Sequence, residues 1–120
     1  MIDKIAYLWY PTTDMNRAVE FYKNVLGFKL LFERQDWSEF DISGQRLALC
    51  KVDAIAHGKT LSEPGVSFMA KPIEKVIDAL SRKGVSFAGE LQVYPYGKLI
   101  RFQDPDGNIL GLYEPPPATE

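Results

Sequence analysis

Apolar and polar residues alternate along short stretches of the chain, a pattern typical of strands with one buried face. The predicted strands are 4–10, 28–33, 37–42 and 46–52 in the first half, and 65–70, 85–87, 99–103 and 109–113 in the second. Apolar residues recur at helical spacing over 15–26 and 73–80, so each half also contains one predicted helix. Thr13 and Asp14 offer N-cap oxygens to the first helix, and Pro72 suits the start of the second.

The order strand, helix and three strands is therefore predicted twice. Gly27 ends the first helix and Gly84 ends the second, nearly half the chain apart, which favours a duplicated module. The interpretation is an α+β chain with module one at about 3–52, a loop at 53–63, module two at about 64–115 and a tail at 116–120. Neither half alone would bury a comfortable core, so the modules are expected to pack on one another or on a second chain.

Proline, glycine and short polar residues predict the breaks between strands. Pro11 is predicted to end the first strand, and residues 91–97 have no clear period and are predicted to be irregular. The sequence Asp-Pro-Asp-Gly-Asn at 104–108 predicts a tight turn, because Pro presets φ and Gly accepts a positive φ. Turn chemistry accounts fully for Asp104 and Asp106, so neither is a candidate for proton transfer.

Composition excludes several classes of function. The chain has 120 residues, 46% of them hydrophobic and 25% charged, with a net charge of -2. This balance is typical of a globular domain, and no basic run indicates a nucleic-acid partner. No apolar run is long enough for a membrane span, and the single cysteine fits a reducing compartment, so we expect a cytoplasmic protein. The expected partner is a small molecule or another copy of the chain.

Three segments carry a resemblance to a known family. They are Ala-Val-Glu-Phe-Tyr-Lys-Asn-Val-Leu-Gly-Phe at 18–28, Tyr96-Gly97, and the turn at 104–108. Together they resemble the vicinal oxygen chelate superfamily, which comprises glyoxalases, bleomycin-resistance proteins and extradiol dioxygenases. The resemblance covers nearly the whole chain. It implies two β-α-β-β-β modules whose curved mixed sheets form a cleft, with the helices on the outside.

The resemblance also implies where a metal would bind. Enzymes of the superfamily hold a divalent ion through four side chains on cleft-facing strands, usually His and Glu. The matching positions in this chain are Tyr7, Ala48, Gly65 and Gly111. Ala and Gly supply no donor side chain, so we expect neither a metal nor another cofactor.

Strand parity predicts which side chains face the cleft, because residues two apart share a face. The predicted ligand-binding residues are Tyr7, Trp9, Trp37, Glu39, Asp41, Ser67, Met69, Arg101, Gln103 and Tyr113. The aromatic residues offer stacking surface to a flat or cationic ligand, and the two carboxylates would attract positive charge. Arg101 would instead favour a carboxylate or phosphate. The structural alternatives are packing of the aromatic rings between the sheets and pairing of the carboxylates with arginines.

Two further residues have chemistry that the pattern does not explain. Cys50 could serve as a nucleophile, but no paired base is evident, and a buried inert thiol is the alternative. His57 lies in the predicted loop and could close over the cleft as an acid or base. A single histidine without neighbouring donors is a poor metal site.

These observations favour a metal-independent binding protein of the glyoxalase and bleomycin-resistance type, which encloses an aromatic, cationic or zwitterionic small molecule. The alternative is a lyase-, isomerase- or dioxygenase-like enzyme that uses non-standard residues or metal ligands. A third possibility is a subunit whose cleft is only an interface. We also expect a homodimer, because short sheets leave edges and apolar faces that one chain covers poorly.

Overall fold

A computed structural model describes residues 1–55 and 65–117, and the chain divides into two compact units, Met1–Ala56 and His57–Glu120. The elements of unit one are β1 (Leu8–Thr12), α1 (Met15–Glu20), a π-helical turn (Phe21–Val25), β2 (Lys29–Phe32), β3 (Trp37–Ile42) and β4 (Gln45–Lys51). The elements of unit two are β5 (Val66–Met69), α2 (Ile73–Arg82), β6 (Phe87–Tyr94), β7 (Gly97–Gln103) and β8 (Ile109–Glu114). The predicted α+β class and the repeated β-α-β-β-β order are confirmed.

Each unit is a four-stranded mixed sheet with one helical segment. The strand orders are β1-β4-β3-β2 and β5-β8-β7-β6, so the two sheets have the same topology. In each sheet the first strand pairs in parallel with the last, and the other pairs are antiparallel. A parallel pair needs a crossover connection, which is why a helix follows the first strand of each unit.

The core of unit one lies between α1 and one face of its sheet. Ala18 and Tyr22 are fully buried, and the Tyr22 ring lies 5.9 Å from the ring of Phe40 on β3. Leu47 and Leu49 on β4 are also buried and share the face of Phe40. One face of β3 and β4 therefore packs in the core, as the sequence predicts. The opposite face, which carries Glu39 and Ala48, does not pack against α1.

The core of unit two follows the same plan. Phe102 on β7 and Leu110 on β8 are fully buried opposite each other, and the Phe102 ring lies 5.7 Å from Phe87 on β6. α2 begins after Pro72, whose apolar side chain cannot accept a hydrogen bond from the first turn of the helix. Instead the Ile73 N–H donates to the Glu114 carboxylate at 2.7 Å, so the last strand supplies the missing cap.

The first strand differs from its prediction. It was expected at 4–10 with Pro11 as its end, but β1 is Leu8–Thr12 and contains Pro11, which lies opposite Cys50. β1 is an edge strand of its sheet, where a residue without an N–H is tolerated on the side that faces away from β4. The prediction that Pro11 ends the strand is therefore wrong.

Two other elements also differ. The first helix was predicted as one α-helix over 15–26, but α1 ends at Glu20 and continues as the π-helical turn, in which the Leu26 N–H donates to the Phe21 carbonyl at 3.0 Å. Residues 91–97 were predicted to be irregular, yet β6 extends to Tyr94. The register of β6 shifts between Ala88 and Gln92, and this bulge breaks the period-two pattern on which the prediction rested.

The predicted turn at 104–108 forms as expected. Asp104 Oδ1 accepts the N–H groups of Asp106 and Asn108 at 2.9 and 3.0 Å, and Gly107 has a φ of 84°. β3 and β4 are joined by Ser43 and Gly44, both with positive φ, as in a type I′ hairpin. Within residues 1–55 and 65–117, no helix has the length and hydropathy to cross a membrane.

Candidate functional site

Residues that lie opposite one another on neighbouring strands form a row across each sheet. The strand registers give each unit an equivalent row of four residues. The unit-one row is Trp9, Ala48, Glu39 and Phe32. The unit-two row is Ser67, Gly111, Arg101 and Ala88. Residues opposite each other on paired strands share a face, and each row lies on the face away from the core described above. Each row contains one charged residue in the same place, a carboxylate in unit one and a guanidinium in unit two.

The carboxylate of the unit-one row has two internal partners. Glu39 Oε2 accepts the indole N–H of Trp37 at 2.8 Å, and Glu39 Oε1 accepts from Arg46 Nη1 at 2.8 Å. The Trp37 ring also meets the Tyr7 ring edge-on, with centroids 5.2 Å apart. Trp37 therefore contacts both Tyr7 and Glu39. All three are among the residues predicted to face a ligand.

These partners set the chemistry of Glu39. The hydrogen bond from Trp37 and then that from Arg46 hold the pKa of the Glu39 carboxyl below its usual range, so the group is ionised at neutral pH. A carboxylate with a lowered pKa and both oxygens engaged is a weak proton acceptor. Glu39 instead fixes the orientation of the Trp37 indole, because it accepts the hydrogen bond from the indole N–H.

The other predicted residues of unit one have separate surroundings. Asp41 Oδ1 accepts the Gly44 N–H at 3.2 Å, so this carboxylate takes part in the hairpin turn. Trp9 is 51% exposed beside the fully buried Ala48. Cys50 is half-buried opposite Trp37.

Unit two contains a pocket of about 260 Å³ on the face that carries its row. The residues that line it are Ser67, Ala88, Gly89, Glu90, Gln92, Tyr94, Tyr96, Leu99, Ile100, Arg101 and Gly111. All four members of the unit-two row are among them. Three of those four, Ser67, Ala88 and Gly111, have small or absent side chains, which leaves room for the pocket along the row.

The rim of the pocket is the hairpin between β6 and β7. The rings of Tyr94 and Tyr96 stack with centroids 4.8 Å apart and an interplanar angle of 4°. The Tyr113 hydroxyl donates to the Tyr96 carbonyl at 2.8 Å, which ties this hairpin to β8. Gly97 makes the approach possible, since a Cβ there would lie 2.5 Å from the Tyr113 ring.

The structure distributes the predicted residues of unit two unevenly. Ser67 and Arg101 line the pocket, and Met69 and Tyr113 lie in the neighbouring row along the strands, with Leu99 and Gln92. Met69 is 70% exposed. Gln103 lies at the end of β7 opposite Ile109, and it does not line the pocket. His57 lies outside the described residues.

Sequence reasoning missed the contribution of β6. Glu90, Gln92, Tyr94 and Tyr96 line the pocket, and the last three lie in the segment 91–97, which was predicted to be irregular. One signal was available, because Pro95 and Gly97 are typical turn residues and the aromatic residues on both sides of Pro95 favour strands.

Comparison with known proteins agrees with this architecture. Residues 2–112 match the family model of the glyoxalase, bleomycin resistance protein and dioxygenase superfamily. The chain belongs to this superfamily.

Individual relatives include enzymes and binding proteins. The chain is 30% identical over 111 residues to the metallothiol transferase FosB of Lysinibacillus sphaericus, and the match covers 89% of this chain and 79% of that protein. The crystal structure of TnmS3, an antibiotic binding protein from a Streptomyces species, is 27% identical, with a TM-score of 0.76 and coverage of 96% of this chain and 98% of that one. A glyoxalase family protein from Enterococcus faecalis is 25% identical, with a TM-score of 0.78 and coverage of 92% and 97%.

At the four positions that the family resemblance implies, the described residues of this chain do not fit a divalent metal. The registers place Tyr7 and Gly65 two residues before Trp9 and Ser67, so these two positions are equivalent in the two units. Ala48 and Gly111, at the other two positions, lie in the rows without a donor atom on their side chains. Among residues 1–55 and 65–117, no group of three His, Cys, Asp or Glu side chains is placed to hold a metal ion.

Proposed function

We propose that this chain is a metal-independent small-molecule binding protein that sequesters a partly aromatic drug or metabolite. The observation that carries the proposal is the pair of rows. In them Ala48 and Gly111, two small residues without donor atoms on their side chains, occupy positions at which the family resemblance implies metal ligands. In unit two the space beside Gly111 belongs to a pocket of about 260 Å³. A pocket lined by aromatic, small and a few polar residues is typical of organic-ligand sites.

The aromatic surface of both units supports this proposal. Unit one presents Trp9, with half its surface exposed, and the Tyr7–Trp37 pair. Unit two presents the stacked Tyr94–Tyr96 pair. Flat, rigid rings bury a large area on a ligand at a low entropy cost. The likeness to the antibiotic binding protein TnmS3 over nearly the whole of both chains is consistent with the same use.

The similarity to FosB favours a second candidate, a transferase or another enzyme of the superfamily. Such an enzyme would need metal ligands other than those at the four positions. Glu39 is a poor choice, because Trp37 and Arg46 already occupy both of its oxygens. We therefore place the binding protein first.

Metal analysis separates the two candidates. The purified chain is analysed for bound metals, dialysed against EDTA, and then titrated with Zn²⁺ and Mn²⁺ by isothermal calorimetry. We expect less than about one metal per ten chains, an unchanged melting temperature after dialysis, and no saturable binding. One equivalent of tightly held metal would reject the proposal in favour of the enzyme. A thermal-shift screen of aromatic drugs and metabolites then tests for ligands, and the absence of any hit would count against sequestration.

Two further properties belong to the same proposal. We propose that the chain acts in the cytoplasm and forms a homodimer, since the parallel pairing leaves β1 and β5 at the edges of their sheets. Sedimentation at tens of micromolar should give twice the mass of 13.6 kDa. A monomer at that concentration would contradict the second part.

A further inference from the structure

We infer that the unit-two pocket binds a neutral, flat, fused-ring molecule that stacks on the Tyr94–Tyr96 pair and accepts a hydrogen bond from the Gln92 amide. This inference rests on the proposed function and narrows it to one chemical class. It differs from the cationic preference that the acidic residues of the sequence predict.

The stacked tyrosines offer a surface to a third ring. Their rings are 4.8 Å apart with an interplanar angle of 4°, so each ring has one face against the other and one outer face. Both residues line the pocket, and Tyr96 is 60% exposed. The hydrogen bond from the Tyr113 hydroxyl to the Tyr96 carbonyl holds this hairpin in place. A flat ligand can therefore continue the stack with little rearrangement of the pair.

Gln92 supplies a directional contact beside the stack. It lies on β6 two residues before Tyr94, so the two side chains share the face of the pocket. The Tyr94 hydroxyl donates to Gln92 Oε1, which engages the amide oxygen and orients the group. The Gln92 amide nitrogen has no hydrogen-bond partner within the described ranges 1–55 and 65–117. Because this nitrogen is a donor only, it suits a ring nitrogen or carbonyl oxygen at the edge of a stacked ligand.

The charges of the lining favour a neutral ligand. Glu90 and Arg101 are the acidic and the basic residue among the lining side chains, and their formal charges of −1 and +1 sum to zero. Glu90 is exposed in the bulged part of β6, where solvent screens its charge. Arg101 takes part in an interaction of its own. Neither charge therefore selects an ion of one sign, and the neutral contacts of the rim determine the class of ligand.

The spacing along the strands sets the size of the ligand. Gln92 lies opposite Leu99, and this row is two residues, or about 7 Å, from Tyr94. On the other side, the small residues Ala88 and Gly111 leave room in the pocket. A ring system held at the tyrosines thus extends over Leu99 toward these small residues. The pocket volume of about 260 Å³ is just below the usual range of about 300–1,000 Å³, which favours two or three fused rings.

NMR titration with three bicyclic probes tests this class. Quinoline is neutral and accepts a hydrogen bond at its ring nitrogen, whereas indole is neutral and donates one. N-methylquinolinium has the shape of quinoline but carries a positive charge and has no acceptor. Wild-type protein should bind quinoline about fivefold or more tightly than either of the other two, since one added hydrogen bond has about that effect.

Variants locate the contacts. Gln92→Leu should abolish the preference for quinoline over indole, and Gln92→Glu, of nearly the same shape but without N–H donors, should do the same. Tyr94→Phe removes the hydrogen bond that orients the amide and should reduce the preference about twofold. Tyr96→Leu should weaken quinoline and indole by a similar factor, about threefold to tenfold, because it removes stacking surface.

Ser67→Ala is the matched control. It removes a hydroxyl from the same pocket, but from β5, at the opposite edge of the sheet from β6. All three affinities should stay within about twofold of wild type, because the proposed contacts lie on β6 and its hairpin. Melting curves check that each variant is folded, and both Ser67 and Gln92 are exposed.

Each failure has a distinct meaning. Equal or tighter binding of indole or N-methylquinolinium, or a quinoline preference that survives in Gln92→Leu and Gln92→Glu, overturns the assignment but leaves a binding protein. No binding of any probe at millimolar concentration also overturns the assignment, and a drug screen without hits would overturn the proposed function as well. If Gln92→Leu is unfolded, Gln92→Glu and the ranking of the three probes on wild type decide the matter.

Discussion

Two equivalent positions of the two units carry opposite charges and have opposite surroundings. Glu39 faces Ala48 on one side and Phe32 on the other, while Arg101 faces Gly111 and Ala88. Glu39 is held by Trp37 and Arg46, whereas Arg101 lines an open pocket. The repeated fold therefore gives the same backbone position two surroundings, a pair of hydrogen bonds in unit one and the wall of a pocket in unit two.

The size of the neighbouring side chains explains this difference. In the unit-one row, Trp9 and Phe32 stand at the two ends and fill the face on both sides of the carboxylate. In the unit-two row, Ser67 and Ala88 occupy those ends and leave a cavity. Large side chains thus fill the face around Glu39, whereas small ones leave room for a pocket beside Arg101.

The largest expected effect concerns the hairpin that forms the pocket rim. Gly97→Ala should lower the free energy of unfolding by about 2–4 kcal/mol, because it combines a positive φ with a steric clash. The φ of Gly97 is 138°, and its Cβ would lie 2.5 Å from the Tyr113 ring and 2.7 Å from the Glu114 carbonyl. Denaturant unfolding measures the change.

Gly44 in unit one provides the matched control. Its φ of 95° is also positive, but a Cβ there would have nothing within 4 Å. Gly44→Ala should therefore lower the free energy of unfolding by only about 1 kcal/mol. Equal losses in the two variants would show that the Tyr113 contact has no energetic weight.

The next effect concerns the open row itself. Ser67→Trp with Ala88→Phe gives unit two the large row ends of unit one. We expect at least a 30-fold loss of affinity for an aromatic ligand found in the thermal-shift screen, or about 2 kcal/mol. Both positions are exposed, so the sheet should tolerate the larger side chains. Calorimetry measures the affinity, and a melting curve checks the fold.

Val93→Phe is the control for the filled row. Val93 is exposed on β6 and lies opposite Lys98, on the other face of the strand from the pocket. This variant adds a ring to the same strand without entering the pocket, so affinity should stay within about twofold of wild type. Retained binding of that ligand in the double variant would place it somewhere other than this row.

The two helices differ in where their caps come from. Asp14 caps α1 locally by accepting the Arg17 N–H at 3.1 Å, whereas Glu114 caps α2 from the end of β8. Asp14→Ala and Glu114→Ala should each lower the free energy of unfolding by about 1 kcal/mol. Glu114→Gln should retain part of that stability, because an amide oxygen can still accept from Ile73.

Hydrogen exchange distinguishes the two caps further. Loss of Glu114 should increase exchange at the first turn of α2 and at the adjacent end of β8, while loss of Asp14 should affect only the start of α1. Exchange changes confined to α2 in Glu114→Ala would mean that the contact with β8 does not couple strand and helix.

The sequence predicts the modules well because their signals are local. Period-two runs and the stop at Gly84 specify strands and a helix without knowledge of partners. The same parity puts Arg101 and Ser67 on the pocket face. Strand parity cannot reveal that both oxygens of Glu39 accept hydrogen bonds, because these bonds depend on which strands pair and in which register. It also fails at β6, where Gly89 with a φ of 79° lies within a bulge that resets the alternation.

The smallest expected effect tests whether Glu39 serves Trp37. Because the partners of Glu39 lower its pKa in the folded state, its stabilising contribution is complete above the ordinary value of 4.5 and is lost as the pH falls through the lower folded value. We expect a loss of about 0.5 kcal/mol, since the Arg46 side chain is 52% exposed.

In a Trp9→Phe background, Trp37 is the sole tryptophan, and its emission should change as the pH falls below 4.5 while the protein stays folded. Glu39→Gln should abolish this acid transition, whereas Asp41→Asn should retain it. A transition that persists in Glu39→Gln would show that another group controls the environment of the indole.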